Sequence, residues 1–477
     1  MLFNTVQFFI FFVIVYALYL ILNHKQQNRL LLVASYIFYA TWDWRFLSLL
    51  FITTAIDYYC GLKIYETGNA RIKKLFLLLS IFCSLIILCY FKYYNFFAAS
   101  LQTLLSNFNF SIQPRFLDVI LPVGISFYTF KTISYTIDIY RNELKPTKKF
   151  LDFALLVSYF PQLIAGPIER ASSLLPQILS PRRPSLGKVY EGSYLIFWGL
   201  FQKVFVADNL AKIVDPVFMS SSPYNGTRVI LAIYAFAFQI YCDFAGYSNI
   251  ARGLGKLMGF ETLVNFNLPY FSTNPREFWQ RWHISLSTWL RDYLYIPLGG
   301  NRKGTLITYR NLAITMLLGG LWHGANWTFI IWGAYQGFLL IAHRLCKPLL
   351  ECLPSPKNLI MAKIWFLVKV VFFFHVMCLG WLLFRAESVA QVFQMLSSMF
   401  PTGLPSISAA VQTIGFKLVF FTCILIIIEA YQYRKNDLMA LYKSNHLVAK
   451  ALIYYLCFYA MMIYGVRGGK EFIYFQF

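Results

Sequence analysis

The chain has 477 residues, of which 58% are hydrophobic, 19% aromatic and 13% charged, with a formal net charge of +22 and a mean hydropathy of +0.57. Soluble domains carry about 25% charged residues, so this composition excludes a soluble multidomain protein. The Lys and Arg residues cluster in short stretches between apolar runs: Lys25–Arg29, Lys63–Lys74, Arg141–Lys149, Arg182–Lys188 and Arg434–Lys450. That placement follows the positive-inside rule and anionic headgroups, and argues against a nucleic-acid partner.

At roughly 20 apolar residues per spanning helix, the sequence predicts an all-α polytopic membrane protein with roughly 11 to 13 transmembrane or re-entrant helices. Met1–Leu22 has no basic residue before it and no cleavage site after it, so it reads as a retained first span. Lys25 and Arg29 after it put the N-terminus outside. Leu30–Leu62 is broken at Trp42-Asp-Trp44-Arg45 and predicts two short helices, and Leu75–Tyr94 predicts a span. Pro122 and Gly124 within Leu121–Phe130 predict a kinked or late-starting helix. Two prolines and a glycine across Tyr159–Arg170 predict irregular backbone, tolerated at membrane depth only where protein or a cavity covers it. Pro176–Ser185 reads as a proline-rich loop, and Tyr190–Val206 and Val229–Asn249 as spans. The latter ends in Tyr241-Cys-Asp-Phe-Ala-Gly-Tyr-Ser-Asn249, where Asp243 is an ionisable group beside Tyr247 and Ser248. Such a group faces a bundle interior or a wet cavity, either as a hydrogen-bond anchor or as a binding residue. Lys363–Phe384, Phe416–Tyr433 and Ala449–Tyr464 complete the spans.

No loop is long enough to hold a soluble catalytic domain, so residues 1–477 read as one membrane domain. Its catalytic core would cover about 115–345, with peripheral helices in 1–114 and 346–477. Nine cysteines without a C-x-x-C pair support neither a zinc site nor a disulfide framework, and no metal is expected. Gly253-x-Gly255-x-x-x-Gly259 misses the dinucleotide fingerprint by one residue and follows no strand.

Two histidines stand out. Placed on one helix, Asn274–Asp292 puts Arg276, Gln280, His283, Ser287 and Arg291 on one face, with His283 midway along a polar stripe. Between Arg310 and Arg344 lie 33 residues without Asp, Glu, Lys or Arg. A single helix of that length would be about 50 Å long, beyond the ~30 Å hydrocarbon core. The run should therefore break near Gly319, Gly320 and Gly324, leaving His323 at a helix discontinuity. In this reading Gly324 and Ala325 clear space beside the ring, and Trp322 and Trp327 wall it. His24, His343, His375 and His446 lie in loops, near helix ends or on apolar faces, and read as structural.

A buried neutral imidazole can take a proton from an attacking hydroxyl. The chain contains no G-x-S-x-G elbow, H-E-x-x-H, Walker motif or kinase glycine loop. Direct transfer of an activated group is then the simplest scheme. A transporter or channel with proton-relaying histidines accounts equally for broken helices, but predicts no turnover of a thioester.

Several segments resemble the membrane-bound O-acyltransferase family in its bacterial branch. They are Leu121-Pro-Val-Gly-Ile-Ser-Phe127, Gln162-Leu-Ile-Ala-Gly-Pro-Ile168, Asp243-Phe-Ala-Gly-Tyr-Ser248, Phe278-Trp-Gln-Arg-Trp-His-Ile-Ser-Leu-Ser287, Leu298-Gly-Gly-Asn-Arg302, Leu321-Trp-His-Gly324 and the end Phe472-Ile-Tyr-Phe-Gln-Phe477. That branch holds alginate O-acetyltransferase membrane subunits, which this chain resembles more, and teichoic-acid D-alanyl transfer proteins. The resemblance implies helices around a central funnel and places His323 as the catalytic histidine and His283 as its companion. It implies a bacterial cytoplasmic-membrane enzyme that binds no cofactor and uses acetyl-CoA or another acyl thioester as donor substrate. An extracytoplasmic serine-hydrolase-like partner and an exported polysaccharide acceptor are also implied. On this reading His283 orients the thioester carbonyl or developing oxyanion, and Trp279, Trp282 and Trp322 shape the passage. Asn326, Asp243, Tyr247 and Ser248 line the substrate path, while Arg276 or Arg291 attracts an anionic donor at the cytoplasmic mouth.

Overall fold

The apolar runs form helices almost without exception, and among the described residues there is no strand. The computed structural model describes residues 1–163, 166–352, 358–399, 410–466 and 472–475. Ile164, Ala165, Gln476 and Phe477 of the expected motifs lie outside them. Among the described residues, seven helical stretches are long and apolar enough to cross a membrane: Phe46–Glu66, Ala70–Ser106, Gly226–Leu257, Trp327–Leu350, Leu359–Arg385, Val411–Lys435 and Leu447–Tyr464. Most of their side chains point away from the protein, as lipid-facing helices require; only the Gly226–Leu257 stretch is largely buried.

The chain divides into two units, Met1–Ser193 with Ala251–Leu263, and Tyr194–Ile250 with Val264–Phe477. The first contains α1 (Val6–Ile21), α2 (His24–Asp43), α3 (Phe46–Glu66), α4 (Ala70–Leu88), α5 (Tyr94–Ser106), α6 (Ile125–Tyr140), α7 (Phe150–Ser158), α8 (Phe160–Leu163) and α9 (Ala171–Leu179). The Trp42–Arg45 corner separates α2 from α3 as expected. Gly124, at φ 75°, turns the chain into α6, which accounts for its late start. Pro176 lies inside α9, so the proline-rich loop begins only after Leu179. Asp57 of α3 is buried, and the Ser80 hydroxyl of α4 donates to it at 2.5 Å.

The second unit carries the two histidines. α10 (Leu186–Leu200) and α12 (Gly226–Leu257) run through the boundary between units, and α11 (Asp208–Phe218) lies between them in sequence. Then come α13 (Pro275–Arg281), α14 (Ile284–Leu290), α15 (Thr305–His323), α16 (Trp327–Cys352), α17 (Leu359–Arg385), α18 (Val389–Ser398), α19 (Phe416–Lys435) and α20 (Leu447–Tyr464).

Two expectations are corrected here. Asn274–Asp292 is not one amphipathic helix. It splits into α13 and α14 at Trp282, which is extended, and His283, which is left-handed at φ 40°. The break is held from outside, because Arg281 O accepts from Asn267 N–H and Asn265 O accepts from Ile284 N–H. His283 therefore turns inward to full burial instead of joining a polar stripe. The long uncharged run does break, but only after His323, where Gly324 is extended and Asn326 caps α16 through Thr328 N–H. Gly319 and Gly320 stay helical. A Cβ on Gly320 would meet Phe329 O at 2.3 Å and Gly333 Cα at 3.0 Å, and one on Gly324 would strike the Phe329 ring at 2.2 Å. These glycines let α15 and α16 close on each other; Phe329, not an open space, fills the ground beside them.

Candidate active site

The end of α15, the α13–α14 break and the C-terminal tail converge on one aromatic cluster. The His323 ring lies 5.0 Å from Trp322, 5.0 Å from Trp332, 5.2 Å from Phe384 and 5.7 Å from Tyr474, centroid to centroid. His283 lies 4.6 Å from Phe244, 5.9 Å from Trp322 and 6.3 Å from Tyr474. Trp322 and Tyr474 thus each touch both imidazoles, although the histidines are 40 residues apart in sequence. His323 is 4% exposed and His283 0%.

The left-handed backbone at His283 costs a non-glycine residue about 1–3 kcal/mol and persists only where neighbours over-determine it. Asn265 is the main neighbour. Its side-chain oxygen accepts from Ser285 N–H at 3.2 Å and from the Ser285 hydroxyl at 2.9 Å, and its amide donates to Ser248 Oγ at 3.3 Å. Neither ring nitrogen of His283 has a protein hydrogen-bond partner, so the whole hydrogen-bonding capacity of this imidazole stays open.

Behind Phe244 lies an ion cluster. Lys203, in the π-helical segment Phe201–Ala207 that continues α10, meets Asp208 at 2.8 Å and Asp243 at 2.6 Å, with all three side chains nearly inaccessible. The second oxygen of Asp243 accepts from Ile473 N–H at 2.7 Å. Tyr247 packs at a tilt against Phe472 at 4.7 Å and lies under the Lys203 ammonium at 5.4 Å. The cluster therefore pins the tail that delivers Tyr474 to the histidines.

The other expected residues are dispersed around this centre. Trp282 is buried 4.7 Å from Trp381 and 5.4 Å from Phe278, and Trp279 faces Trp332 at 6.0 Å. Asn326 donates to Glu387 O at 2.9 Å besides capping α16. Trp327 is exposed. Arg276 is exposed as well, and Arg291 is exposed and bonded to Asp292 at 2.6 Å. Lys203, Asp208 and Asn265 escaped the sequence reading. A lone lysine within the apolar Phe201-Gln-Lys-Val-Phe205 stretch carries the same signal that exposed Asp243, and the two signs together predict a pair. Asn265, in an irregular segment, leaves no pattern to read. Among the described residues, no group of three or more His, Cys, Asp and Glu is arranged to hold a metal ion.

Residues 35–384 match the sequence model of MBOAT, the membrane-bound O-acyltransferase family. The chain belongs to this family. It is a multi-pass membrane O-acyltransferase, with its two histidines inside the all-α membrane body. It is 46% identical over 402 residues to the Pseudomonas putida protein named "Probable alginate O-acetylase AlgI", covering 84% of this chain and 80% of that one. It is 36% identical over 442 residues to the peptidoglycan O-acetyltransferase of Helicobacter pylori, covering 86% and 81%. Similarity to the teichoic acid D-alanyltransferase of Streptococcus thermophilus is 31% over 238 residues, or 46% of this chain and 56% of that one.

Proposed function

We propose that this O-acyltransferase moves an acetyl group from a cytoplasmic acetyl-CoA thioester to a hydroxyl, for O-acetylation of an exported or cell-surface polysaccharide. The observation that carries the reading is the shared aromatic cage, in which Trp322 and Tyr474 touch both imidazoles. His323 takes the proton of the attacking hydroxyl as its oxygen bonds the acetyl carbon, and returns it to the CoA sulfur as the C–S bond breaks and the thiol leaves. His283, whose ring nitrogens meet no protein partner, donates to the thioester carbonyl as it becomes an oxyanion. Trp279, Trp282 and Trp322 wall the path, and Asp243, Tyr247 and Ser248 hold the tail and the His283 turn against it. The catalytic core of about 115–345 belongs to a single functional membrane domain in the bacterial cytoplasmic membrane, and Phe384 and Tyr474 join its cage from outside that range. An extracytoplasmic partner with a serine-hydrolase-like fold receives the group or presents the polymer.

D-Alanyl transfer from a carrier protein is the weaker alternative, since the teichoic-acid relatives align with about half of the chain while the O-acetyl relatives align with most of it. The test is turnover of acetyl-CoA by the purified full-length protein. His323→Ala is expected to lower it at least about 100-fold, within the range for losing a general base, with the melting temperature nearly kept. Equal turnover by parent and His323→Ala would sink the assignment. Faster loss of a D-alanyl carrier thioester than of acetyl-CoA would replace the donor.

A further inference from the structure

A cavity of about 470 Å³ opens in the second unit, where the end of α11, the connection into α12 and the start of α19 come together. Lys212, Arg228 and Lys417 line it, and no Asp or Glu does. Lys212 donates to Asn209 Oδ1 at 3.2 Å. Among the described residues none of the three cations has a carboxylate within ion-pair distance. Like charges gathered in one cavity repel unless an anion answers them.

The depth of the cavity follows from α19. At its far end and in the short connection beyond stand Arg434, Lys435, Lys443 and Lys450, which the positive-inside rule puts in the cytoplasm. The 20 residues of α19 rise about 30 Å, the thickness of the hydrocarbon core. Lys417, its second residue, therefore stands at the opposite boundary, level with the headgroups of the outer leaflet. α12 has the same polarity, starting beside the cavity at Gly226 and carrying Arg252 and Lys256 towards its other end. Cations on the outer face run against the topological bias, so membrane orientation does not explain them.

The surroundings say what kind of anion fits. Val411, Phe416 and Val419, on the helical stretch that carries Lys417, are exposed, as is Met219 after α11. Ile213, Val217 and Ile414 line the cavity itself. A soluble anion gains nothing from this apolar flank, whereas a ligand with a charged head and hydrocarbon chains meets both chemistries. The rim is also preformed. The Gln391 amide donates to Phe218 O at 2.7 Å and to the Tyr224 hydroxyl at 3.0 Å, and Tyr224 donates to Ser220 O at 2.9 Å. Gly226 is fixed against α18, where a Cβ would collide with Ser398 O.

We propose that this cavity is a headgroup site for an anionic phospholipid of the outer leaflet, its phosphate held by Lys212, Arg228 and Lys417 and its chains lying along Phe416 and Val419. Arg228 offers a fork that matches two phosphate oxygens, and the lysines supply point charges. The site goes beyond the acyl-transfer reading and does not depend on it. A free phosphate would use the same cations, so the experiment separates lipid from water-borne anion.

Full-length protein in phosphatidylcholine nanodiscs is titrated with tail-labelled phosphatidylglycerol and with tail-labelled phosphatidylcholine. The parent is expected to bind the anionic lipid at least about tenfold more tightly, with the preference fading as salt rises. Lys212→Gln, Arg228→Gln and Lys417→Gln each lower that preference about threefold, and the triple variant abolishes it. Lys435→Gln, at the cytoplasmic end of α19, leaves it intact. If the triple variant melts early, Lys417→Glu alone carries the test and must bring the preference down about tenfold. Equal binding of the two lipids by the parent overturns the proposal, as does a triple variant that retains the preference. Displacement of the labelled lipid by glycerol 1-phosphate or by a soluble acidic oligosaccharide at comparable concentration also overturns it, in favour of a water-borne anion. Acetyl-CoA turnover is indifferent to all of these outcomes, so failure here leaves the acetyl-transfer reading standing.

Discussion

Asp243 and Phe244 are neighbours on α12, yet they belong to two polar clusters built on opposite rules. At Asp243 the charges are answered: Lys203 bridges two carboxylates, and the oxygen left over takes the Ile473 N–H. Phe244 instead presents its ring to His283, whose nitrogens meet no protein partner and whose backbone is left-handed. Buried polar groups in folded proteins are nearly always hydrogen-bonded. The ion pairs of the first cluster fix geometry; the His283 imidazole beside it keeps both nitrogens without a protein partner on a left-handed backbone. The ion cluster and the imidazoles are mechanically joined, since Asp243 anchors the tail whose Tyr474 touches both rings.

The largest expected effect comes from breaking the answered cluster. Lys203→Met leaves two buried carboxylates facing each other without a cation, which costs about 3–5 kcal/mol. Thermal melts should show a strongly destabilised protein, and limited proteolysis should cut the C-terminal tail first. Adding Asp208→Asn and Asp243→Asn to the same chain removes both uncompensated charges and should recover much of the loss. A Lys203→Met protein as stable as the parent would remove the distinction between the two clusters.

A smaller effect separates position from stability. Asn265→Ala deletes the acceptor of Ser285 N–H and Ser285 Oγ, at a cost of about 1–3 kcal/mol. The melting temperature falls modestly, while kcat for acetyl transfer falls about tenfold or more because the His283 turn is no longer held. If kcat stays with the parent, His283 is not positioned by this clamp. Gly320→Ala should cost a similar amount of stability by pushing α15 off Phe329 O, where the added Cβ would sit 2.3 Å away.

Much of this was legible in the sequence. Hydrophobic run length placed Lys363–Phe384, Phe416–Tyr433 and Ala449–Tyr464 in long apolar helices, because span length is set by the bilayer and not by tertiary detail. Met1–Leu22 and Tyr190–Val206, by contrast, form shorter helices, and the Lys25–Arg29 cluster lies within α2. The break after His323 was legible from the excess of uncharged length over membrane thickness. What failed was local. The Asn274–Asp292 stretch has a good helical period, but Asn265 and Asn267, whose backbone bonds flank its break, lie outside it. No pattern within the segment could report them. The glycines at 319, 320 and 324 were read as space for a ligand, when the facing helix occupies it. Glycine in a sequence marks a close approach without saying what approaches.

The smallest effect tests the outer edge of the comparison, where charge is neither answered nor withheld but simply screened. Arg291 is bonded to its neighbour Asp292 at 2.6 Å and its side chain is 59% exposed. Exposed pairs of this kind contribute about 0–1 kcal/mol, so Arg291→Gln should leave the melting temperature unchanged. Asp292 also cancels much of its field beyond the ~8 Å screening distance at physiological salt. If Arg291 helps gather an anionic donor, the variant raises KM for acetyl-CoA about twofold at low salt, with kcat unaltered, and the difference vanishes as salt is added. Arg276 is exposed on α13, and its neighbour Glu277 is engaged by Arg281 at 3.1 Å, so Arg276→Gln should show the larger KM change of the two. Equal KM values for parent and both variants at low salt would confine these arginines to fixing orientation in the membrane, and would leave donor capture to groups inside the protein.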